Sequence, residues 1–485
     1  MKILLVNPLC DLRLICGGYR HFHTPIPPYG IASLAASLIQ AGHEVQIVDH
    51  FADRPSFDQQ VRSLIESEAD LIGISLLTTA VGAVQRLIAA ARQRADRPLR
   101  FVLGNLHATL FHEQLVHSGV AEYVIRGEGE GPLCELADRL AAGEALEDVA
   151  GLTYAGPDGP RVNPVVQQAT DLDLLPFPAW NLLDLNNYRS APLLGFDDIA
   201  IPALASRGCP FHCSFCAQRE MGAEFRALSP QRVADYFQWV HDEFGLRTLG
   251  FIDACFPPRR DFGNLFADEL RQRGLIGKLR FATELRVDQA DIEVLQPLAE
   301  AGLTTVMLGF ESGDQQVLDS VHKGQTIEQS RRAMAACKQL GLHTVGFFII
   351  GLPGETEATI RSTARFAVEL DCDIAKFNLA VPYPGTELLQ SLGERGTMSS
   401  DRFERFSSWY DDPDDQGLIF VPQGLSARRL KFFQHWAMWR FYVRPRMILR
   451  HLRLGIITPK NMAIGFYVLL EGLISGLRGR LRRKI

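Results

Sequence analysis

Cysteine is scarce in this chain, with nine residues in 485, an odd number. This scarcity excludes a disulfide scaffold and favours a reducing compartment. Long hydrophobic runs are lacking as well, because the apolar stretch 462–477 falls short of the roughly 20 residues that a membrane-spanning helix needs. The first residues read as a β-strand and have no signal-peptide pattern. We therefore expect a cytoplasmic protein.

Charge is unevenly distributed along the chain. The net charge is −6, yet residues 431–485 contain twelve Lys or Arg and a single acid, Glu471. The body before this segment is therefore acidic, which predicts no binding to nucleic acid. Two interpretations of the basic segment stay open. It is either an amphipathic anchor that contacts a membrane peripherally, or a helical cap packed on the preceding domain with a solvated basic end.

The first 145 residues alternate short apolar runs with helical patterns, which indicates one domain. Buried runs separated by helices are typical of a doubly wound parallel sheet, flavodoxin- or Rossmann-like, in an α/β fold. Ligands of such sheets bind at the carboxyl ends of the strands. The predicted strands are 3–6, 45–48, 71–75, 100–103 and 123–125, and the predicted helices are 31–40, 57–66, 83–94 and 132–141.

A second α/β region follows a hairpin and a proline-rich linker at 146–195. Residues 196–395 repeat the strand–helix pattern six times, which predicts a partial (βα)6 barrel of the TIM type. In such barrels the chemistry lies at the C-terminal strand ends. Residues 396–485 are predicted to form a helical, basic extension. The predicted barrel strands are 200–206, 248–252, 280–283, 305–310, 344–350 and 374–379.

Three cysteines stand together directly after the first barrel strand. Cys209, Cys213 and Cys216 have Cx3Cx2C spacing on a loop that begins with a glycine. A zinc site commonly shows a second CxxC or HxxxH pair, which the sequence lacks. A [4Fe–4S] cube is normally held by four thiolates. Three thiolates would leave one iron open, so the pattern predicts an iron–sulfur cluster that can bind a small molecule.

The triplet and the segments behind it resemble the radical S-adenosylmethionine (SAM) enzymes. Similar segments recur in order at 251–256, 282–287, 309–313, 346–355 and 383–387. The resemblance implies that the three cysteines hold the cluster and that SAM chelates the open iron. One-electron reduction would then cleave SAM to a 5′-deoxyadenosyl radical. The SAM-binding residues that the resemblance implies are Phe215, Glu284, Arg286, Ser312 and Gly351.

The types of these residues suit SAM. Carboxylates and hydroxyls such as Glu284 and Ser312 suit its ribose and amino groups, and Arg286 suits its carboxylate. Gly351 lets the backbone approach closely. Cys255, at a predicted strand end, is a candidate for relaying a hydrogen atom or protonating an intermediate. The alternative interpretation of Cys255 is a small buried hydrophobic residue.

The N-terminal domain resembles the cobalamin-binding domain of the B12-dependent class of these enzymes, at 27–35, 73–75, 104–108 and 126–130. One departure is that none of the thirteen histidines has Asp two residues before it. The Asp-x-His-x-x-Gly signature that supplies a cobalt ligand in many B12 proteins is therefore absent, as it commonly is in radical SAM relatives. The implied cobalamin-binding residues are Ser75, Gly104, Asn105 and Gly127.

Together these resemblances imply an enzyme that uses a [4Fe–4S] cluster, SAM and cobalamin. The expected reaction is methylation of an unactivated carbon in a small-molecule substrate, with hydrophobic compounds among the candidates. The expected partner is an external one-electron reductant such as flavodoxin or ferredoxin. Two alternatives stay open: an oxidative cyclase or ring-rearranging enzyme with the same cofactors, and a non-catalytic cobalamin and cluster sensor.

Overall fold

The computed structural model describes residues 1–16, 24–165, 171–189, 198–221, 224–391, 396–398, 403–409 and 418–453. The chain forms two compact units. The apolar stretch 462–477 discussed above lies outside the described residues. The first unit comprises Met1–Asp11, Pro25–Tyr188 and Ala217–Arg226, and the second comprises Leu12–Thr24, Arg189–Cys216 and Ala227–Ile485.

The elements up to residue 162 form the first unit, apart from the short helix α1, which belongs to the second. In chain order they are β1 (Lys2–Asn7), α1 (Leu12–Cys16), α2 (Tyr29–Gln40), β2 (Glu44–Asp49), α3 (His50–Asp53), α4 (Phe57–Glu66), β3 (Leu71–Ser75), α5 (Val81–Arg94), β4 (Phe101–Gly104), α6 (Leu106–Leu110), α7 (His112–His117), β5 (Tyr123–Ile125), α8 (Glu130–Ala142), β6 (Leu152–Gly156) and β7 (Gly159–Val162).

The first unit is built on a seven-stranded sheet in the order β2-β1-β3-β4-β5-β6-β7. The strands from β2 to β5 run parallel. Strand β1 is buried continuously from Ile3 to Val6, as expected where helices cover both faces of a parallel sheet. The predicted doubly wound domain is therefore confirmed. Its strand order reverses between β1 and β3, which places a crevice at their carboxyl ends.

The predicted hairpin is part of this same sheet. β6 pairs antiparallel with β5, and β7 pairs antiparallel with β6. The hairpin covers the edge that β5 would otherwise leave open. Further along, Trp180 is fully buried, and the Tyr188 hydroxyl donates a 2.7 Å hydrogen bond to Asp49 Oδ2. Because of these contacts the first unit runs to Tyr188, beyond the boundary at 145 that the sequence indicated.

The second unit contains most of the remaining elements. In chain order the elements are β8 (Ala200–Ala203), β9 (Ser206–Arg207), β10 (Arg226–Ala227), α9 (Pro230–Phe244), β11 (Thr248–Phe251), α10 (Phe262–Gln272), β12 (Arg280–Arg286), α11 (Ile292–Ala301), β13 (Leu303–Glu311), α12 (Gln315–Ser320), α13 (Ile327–Gln339), β14 (His343–Ile350), α14 (Glu357–Leu370), β15 (Ile374–Leu379), α15 (Glu387–Gln390), β16 (Gly396–Met398), β17 (Phe420–Pro422), α16 (Ala427–Tyr442) and α17 (Pro445–Arg453).

Six parallel strands of this unit, β8-β11-β12-β13-β14-β15, lie side by side in sequence order. This is the partial barrel predicted from the sequence. β12 and β13 both extend past their predicted ends. Near its end β13 has a register irregularity between Gly309 and Glu311, and Glu311 adopts a left-handed backbone with φ of 62°. Such a bulge re-aims a side chain at the end of a strand.

An aromatic cluster holds the helices against the first strands of the barrel. Phe237 on α9 stacks on Phe251 of β11, with ring centroids 5.5 Å apart. Its edge-to-face contacts reach Phe266 on α10 at 5.1 Å and Phe281 on β12 at 5.8 Å. All four rings are nearly inaccessible to solvent. Rings in these geometries contribute beyond the free energy of their burial, so this cluster fixes the strands that carry the site.

Helix α16, which overlaps the start of the basic segment, packs on the barrel. Phe433 and Phe441 are fully buried, and Gln434 donates a 2.8 Å hydrogen bond from Nε2 to the carbonyl oxygen of Phe377 on β15. Within the described residues no helix is both long and apolar enough to cross a membrane.

Candidate functional site

The cysteine triplet lies on a loop that directly follows β9. Gly208 begins the loop with a φ of 81°, a left-handed conformation that glycine adopts without strain. None of the three cysteines forms a disulfide, and all three are partly exposed. The middle of the loop is held by backbone hydrogen bonds, from Ser214 N to the Val321 oxygen at 3.0 Å and from Leu388 N to the Ser214 oxygen at 2.8 Å. The loop is therefore fixed at both sides by other parts of the barrel.

A buried carboxylate, which the sequence analysis missed, fixes the chain just before the loop. Asp253, after β11, accepts the backbone N–H of Ala205 at 3.0 and 3.1 Å and the Ser206 hydroxyl at 2.7 Å. Burial raises the pKa of Asp253 to about 7, and these hydrogen bonds oppose the rise. A sequence signal existed, because Asp253 follows a predicted strand end two residues before Cys255.

The surroundings of Cys209 favour its thiolate. The Cys255 thiol donates a hydrogen bond to the Cys209 sulfur and lowers the pKa of Cys209 to about 6, although burial opposes the shift. The Phe211 backbone N–H and the positive charge of Arg286 add to the lowering. The thiolate is the form that binds metals.

The donor set fits an iron–sulfur cluster better than a single metal ion. Among the described residues, no three His, Cys, Asp or Glu lie close enough to hold one ion together. A cubane cluster has a different requirement, because each cysteine binds a different iron atom. Cys209, Cys213 and Cys216 meet this requirement on one short loop.

A cavity of about 410 Å³ adjoins the loop inside the second unit. Its wall includes Phe215, Cys255, Glu284 and Arg286, so four of the six predicted SAM-binding or catalytic residues come together. Most of the other wall residues are apolar, as is usual for small-molecule sites. The apolar wall is formed by Phe256, Leu285, Met307, Phe347, Ile349, Leu352, Leu379, Ala380 and Val381.

Ser312 and Gly351 are absent from this wall. Ser312 is fully buried and lies 3.1 Å from the Thr363 hydroxyl, with which it shares a hydrogen bond. Gly351 N donates to Glu355 Oε2 at 2.5 Å. Both residues thus help to build the turns that follow β13 and β14. Their predicted contact with SAM stays a prediction.

Charged side chains that the sequence analysis missed also line the cavity. Lys323 Nζ and Glu311 Oε1 are 2.7 Å apart, with side chains only 8% and 9% exposed. Glu284 opens into the cavity yet is enclosed by protein. Burial therefore raises its pKa, and the charge of Lys376 opposes the rise. Lys376 Nζ itself lies 5.3 Å from the centre of the Phe347 ring. The cavity therefore offers ionic and polar groups in an otherwise apolar space.

Arg286 is engaged by the protein itself. Its Nε and Nη2 donate to the two carboxylate oxygens of Asp288 at 3.0 and 3.1 Å, and Nη2 also donates to the Lys323 carbonyl at 2.7 Å. Its Nη1 points to Cys213 Sγ at 3.6 Å. The bidentate geometry that a SAM carboxylate would need is thus already used by Asp288. The role predicted for Arg286 stays a prediction, and the observed contacts indicate another.

The residues predicted to bind cobalamin lie at the carboxyl edge of the first unit's sheet. Ser75 ends β3 and pairs in register with Gly104 at the end of β4. Asn105, with φ of 81°, donates from Nδ2 to Ser75 Oγ at 2.9 Å and accepts the N–H of Leu106 at 2.6 Å. A strained residue that is held on both sides is typical of functional sites.

This edge has room for a ligand. A Cβ added to Gly104 would meet nothing nearer than a carbonyl oxygen at 3.9 Å. Gly127 has a left-handed φ of 77°, and its N–H donates to Thr109 Oγ1 at 3.2 Å. Four predicted residues therefore gather on adjacent strand ends, where a doubly wound sheet binds its ligands. The position fits the cofactor that the resemblance implied.

Comparisons with known proteins agree with this architecture. The family model for the B12 binding domain matches residues 18–137, and that for the radical SAM superfamily matches residues 204–367. An uncharacterized methyltransferase of Pyrococcus horikoshii is 30% identical over 455 residues, which cover 93% of this chain and 95% of the relative. An anaerobic magnesium-protoporphyrin IX monomethyl ester cyclase of Rubrivivax gelatinosus is 30% identical over 388 residues, 76% of this chain and 67% of the relative.

A solved structure has the same fold. The radical SAM methyltransferase TsrM from Kitasatospora setae, with cobalamin and a [4Fe–4S] cluster bound, superposes with a TM-score of 0.68 at 20% identity. The match covers 92% of this chain and 89% of that one.

Proposed function

This chain belongs to the cobalamin-dependent radical SAM enzymes, and we propose that it is a C-methyltransferase acting on an unactivated carbon of a small molecule. The uncharacterized methyltransferase of P. horikoshii supports methyl transfer, because the similarity extends over 95% of that relative. When bound, the cluster, SAM and cobalamin would supply the one-electron chemistry and the methyl group. The protein's part is to bind, orient and shield them.

We assign cluster binding to the cysteine loop and SAM binding to the cavity beside it. Cys209, Cys213 and Cys216 would hold the cluster, and Phe215 would pack against the base of SAM. Glu284 would accept hydrogen bonds from the ribose or amino group of SAM. Burial raises the pKa of Glu284, and hydrogen-bond donors on SAM would oppose this rise because they stabilise the carboxylate. The sheet edge of Ser75, Gly104, Asn105 and Gly127 would bind cobalamin.

The far side of the cavity suits a mainly apolar substrate with few polar groups. Asn378, at the end of β15, is held by a 2.9 Å hydrogen bond from Trp409 Nε1 to its Oδ1. Burial raises the pKa of Tyr383, which keeps its hydroxyl protonated and able to donate. Two oriented polar groups in an apolar wall provide orientation and specificity.

SAM turnover tests the proposal. Anaerobically reconstituted protein, reduced by flavodoxin or ferredoxin, should release 5′-deoxyadenosine from SAM and, with reduced cobalamin, should also form S-adenosylhomocysteine. Cys213→Ala should abolish the first product, and Cys337→Ala, a buried cysteine outside the cavity, should not. Release of 5′-deoxyadenosine without S-adenosylhomocysteine would favour a ring-forming or rearranging enzyme, the activity class of the named cyclase. If neither product forms, only the sensor alternative remains.

We also propose peripheral contact with anionic lipid through the outer face of α16 and α17. Trp439 and Leu452 are 57% and 53% exposed, and the Arg446 side chain is 79% exposed. Apolar side chains flanked by arginine are typical of interfacial helices. Vesicles containing phosphatidylglycerol should co-sediment the protein, and Trp439→Ala with Leu452→Ala should weaken this binding. Leu174→Ala, which removes a still more exposed leucine elsewhere, should leave the binding unchanged. Equal binding by all variants would contradict the proposal.

A further inference from the structure

Side chains from two neighbouring barrel strands approach the cysteine loop. The Cys255 thiol, after β11, donates to Gln289 Oε1 at 3.7 Å and is near enough to Cys209 to lower the pKa of that thiol. Arg286 Nη1, at the end of β12, points to Cys213 Sγ at 3.6 Å, within the range for a bond to sulfur. The donors come from residues 46 and 73 positions away in sequence, so only the fold brings them to the loop.

We propose that Arg286 raises the reduction potential of the cluster by donating a hydrogen bond to Cys213, and that the Cys255 thiol does the same at Cys209 when the cluster is bound. The proposal rests on the proposed function only in that the loop holds a [4Fe–4S] cluster. Reduction adds one electron, and with it one negative charge, to the cluster and its thiolates. Donors aimed at these sulfurs stabilise the reduced state more than the oxidised state, so they raise the potential.

Arg286 is held in place without any help from the cluster. Asp288 and the Lys323 carbonyl fix two of its nitrogens, and its guanidinium lies 3.7 Å from the centre of the Phe211 ring. The residue is only 8% exposed. Asp288 offsets much of the positive charge of Arg286, so the hydrogen bond to Cys213 is the main way in which Arg286 affects the reduction potential of the cluster. A lysine would keep the charge and lose this bond, since it lacks the planar fork.

Cys255 has one thiol proton and two acceptors in reach. Its Sγ donates to Gln289 Oε1 at 3.7 Å, and the Cys209 sulfur is near enough to raise the pKa of the Cys255 thiol. A thiolate that binds iron carries negative charge, and charged acceptors form the stronger hydrogen bonds. The proton is therefore directed to Cys209 when the cluster is bound. The residue is 4% exposed, so water does not compete for this proton.

The test is a redox titration of the reconstituted full-length protein, monitored by the electron paramagnetic resonance of the reduced cluster. Cys255→Ala and Arg286→Lys should each lower the ratio of reduced to oxidised cluster about tenfold at a fixed potential, a shift of about 59 mV for one electron. Cys255→Ser keeps a donor and should restore most of the wild-type potential. Cys337→Ala, which removes a buried thiol on α13 that is not part of the cavity wall, is the matched control and should leave the potential unchanged.

The outcomes are separable. Because the resonance arises only from assembled clusters, a variant that loads less iron still gives the potential of its loaded fraction. Wild-type potentials in Cys255→Ala and Arg286→Lys would overturn this proposal, whatever the enzyme methylates. Shifted potentials in a protein that forms no S-adenosylhomocysteine would support it while contradicting the methyltransferase proposal. An equal shift in Cys337→Ala would indicate a general packing effect and would also overturn it.

Discussion

The buried ion pair between Lys323 and Glu311 gives a sharp prediction about stability. The two charges are 2.7 Å apart and their side chains are 8% and 9% exposed. Lys323→Met would leave the Glu311 carboxylate buried without its partner. Removing one member of a buried pair costs about 3–5 kcal/mol, because the remaining charge has lost both water and its partner. That is a large part of the 5–15 kcal/mol typical of a folded domain.

A double-mutant cycle isolates this pair. Glu311→Gln alone should cost a similar amount, whereas the double variant should cost little more than either single variant. The coupling would then be about 3 kcal/mol. The matched control is Arg331→Met, because the Arg331–Glu369 pair is equally short at 2.6 Å but about half exposed. A surface pair contributes under about 1 kcal/mol.

Urea unfolding without SAM, followed by tryptophan fluorescence, measures these differences in the free energy of unfolding. Losses below about 1 kcal/mol that add in the double variant would refute the reasoning, because the pair would then behave as a solvated one. Most of the signal comes from the second unit, which holds four of the five tryptophans: Trp239, Trp409, Trp436 and Trp439.

Three further predictions concern other parts of the second unit. Phe237→Ala should lower the free energy of unfolding by about 3–5 kcal/mol in the same urea assay, because it empties a closed aromatic cluster; a loss below about 1 kcal/mol would mean that the cluster collapses around the gap. Gly302→Ala should lower the free energy of unfolding by more than about 1 kcal/mol, since φ is 116° and the new Cβ would lie 2.5 Å from a carbonyl oxygen. Gly250→Ala, where the new Cβ would meet nothing within 4 Å, should lower it much less. Equal losses of stability in the two variants would contradict this prediction. In cluster-free protein, the rate of alkylation of Cys209 should rise with pH through its pKa of about 6, because only the thiolate reacts. Cys255→Ala should move this rise to higher pH, as measured by mass spectrometry. An unchanged pH profile would contradict a hydrogen bond from Cys255 to Cys209.

The strand pattern was predictable because parallel strands buried on both faces are recognisable as continuous apolar runs. The strands 71–75, 123–125 and 374–379 agree with the structure residue for residue. The ends of β12 and β13 were predicted too short. The charged residues Glu284 and Arg286 of β12 and Glu311 of β13 lie beyond the predicted strand ends and line the cavity, and a pattern based on apolar residues stops before them.

The cysteine triplet was visible because its three members are close in sequence, and a loop of eight residues needs no long-range information. The partners of the triplet were not visible in the same way. The contact of Arg286 with Cys213 spans 73 residues, and it depends on which strands are neighbours and on how far each one extends. The side-chain chemistry of Arg286 and the family resemblance predicted that it binds SAM, whereas in the structure two of its guanidinium nitrogens already donate to Asp288.

Two α/β units, the order of their strands along the chain and three thiols on one loop were all predictable from the sequence, because each depends on residues that are near one another. Which side chains face the cavity depends instead on the folded chain. The bulge before Glu311 brings that carboxylate to Lys323, and Ser312, the next residue, turns away to bond Thr363. A strand sends successive side chains to opposite faces, so neighbours in a motif can have unrelated roles. The register and bulges of the folded sheet decide which one reaches the cavity.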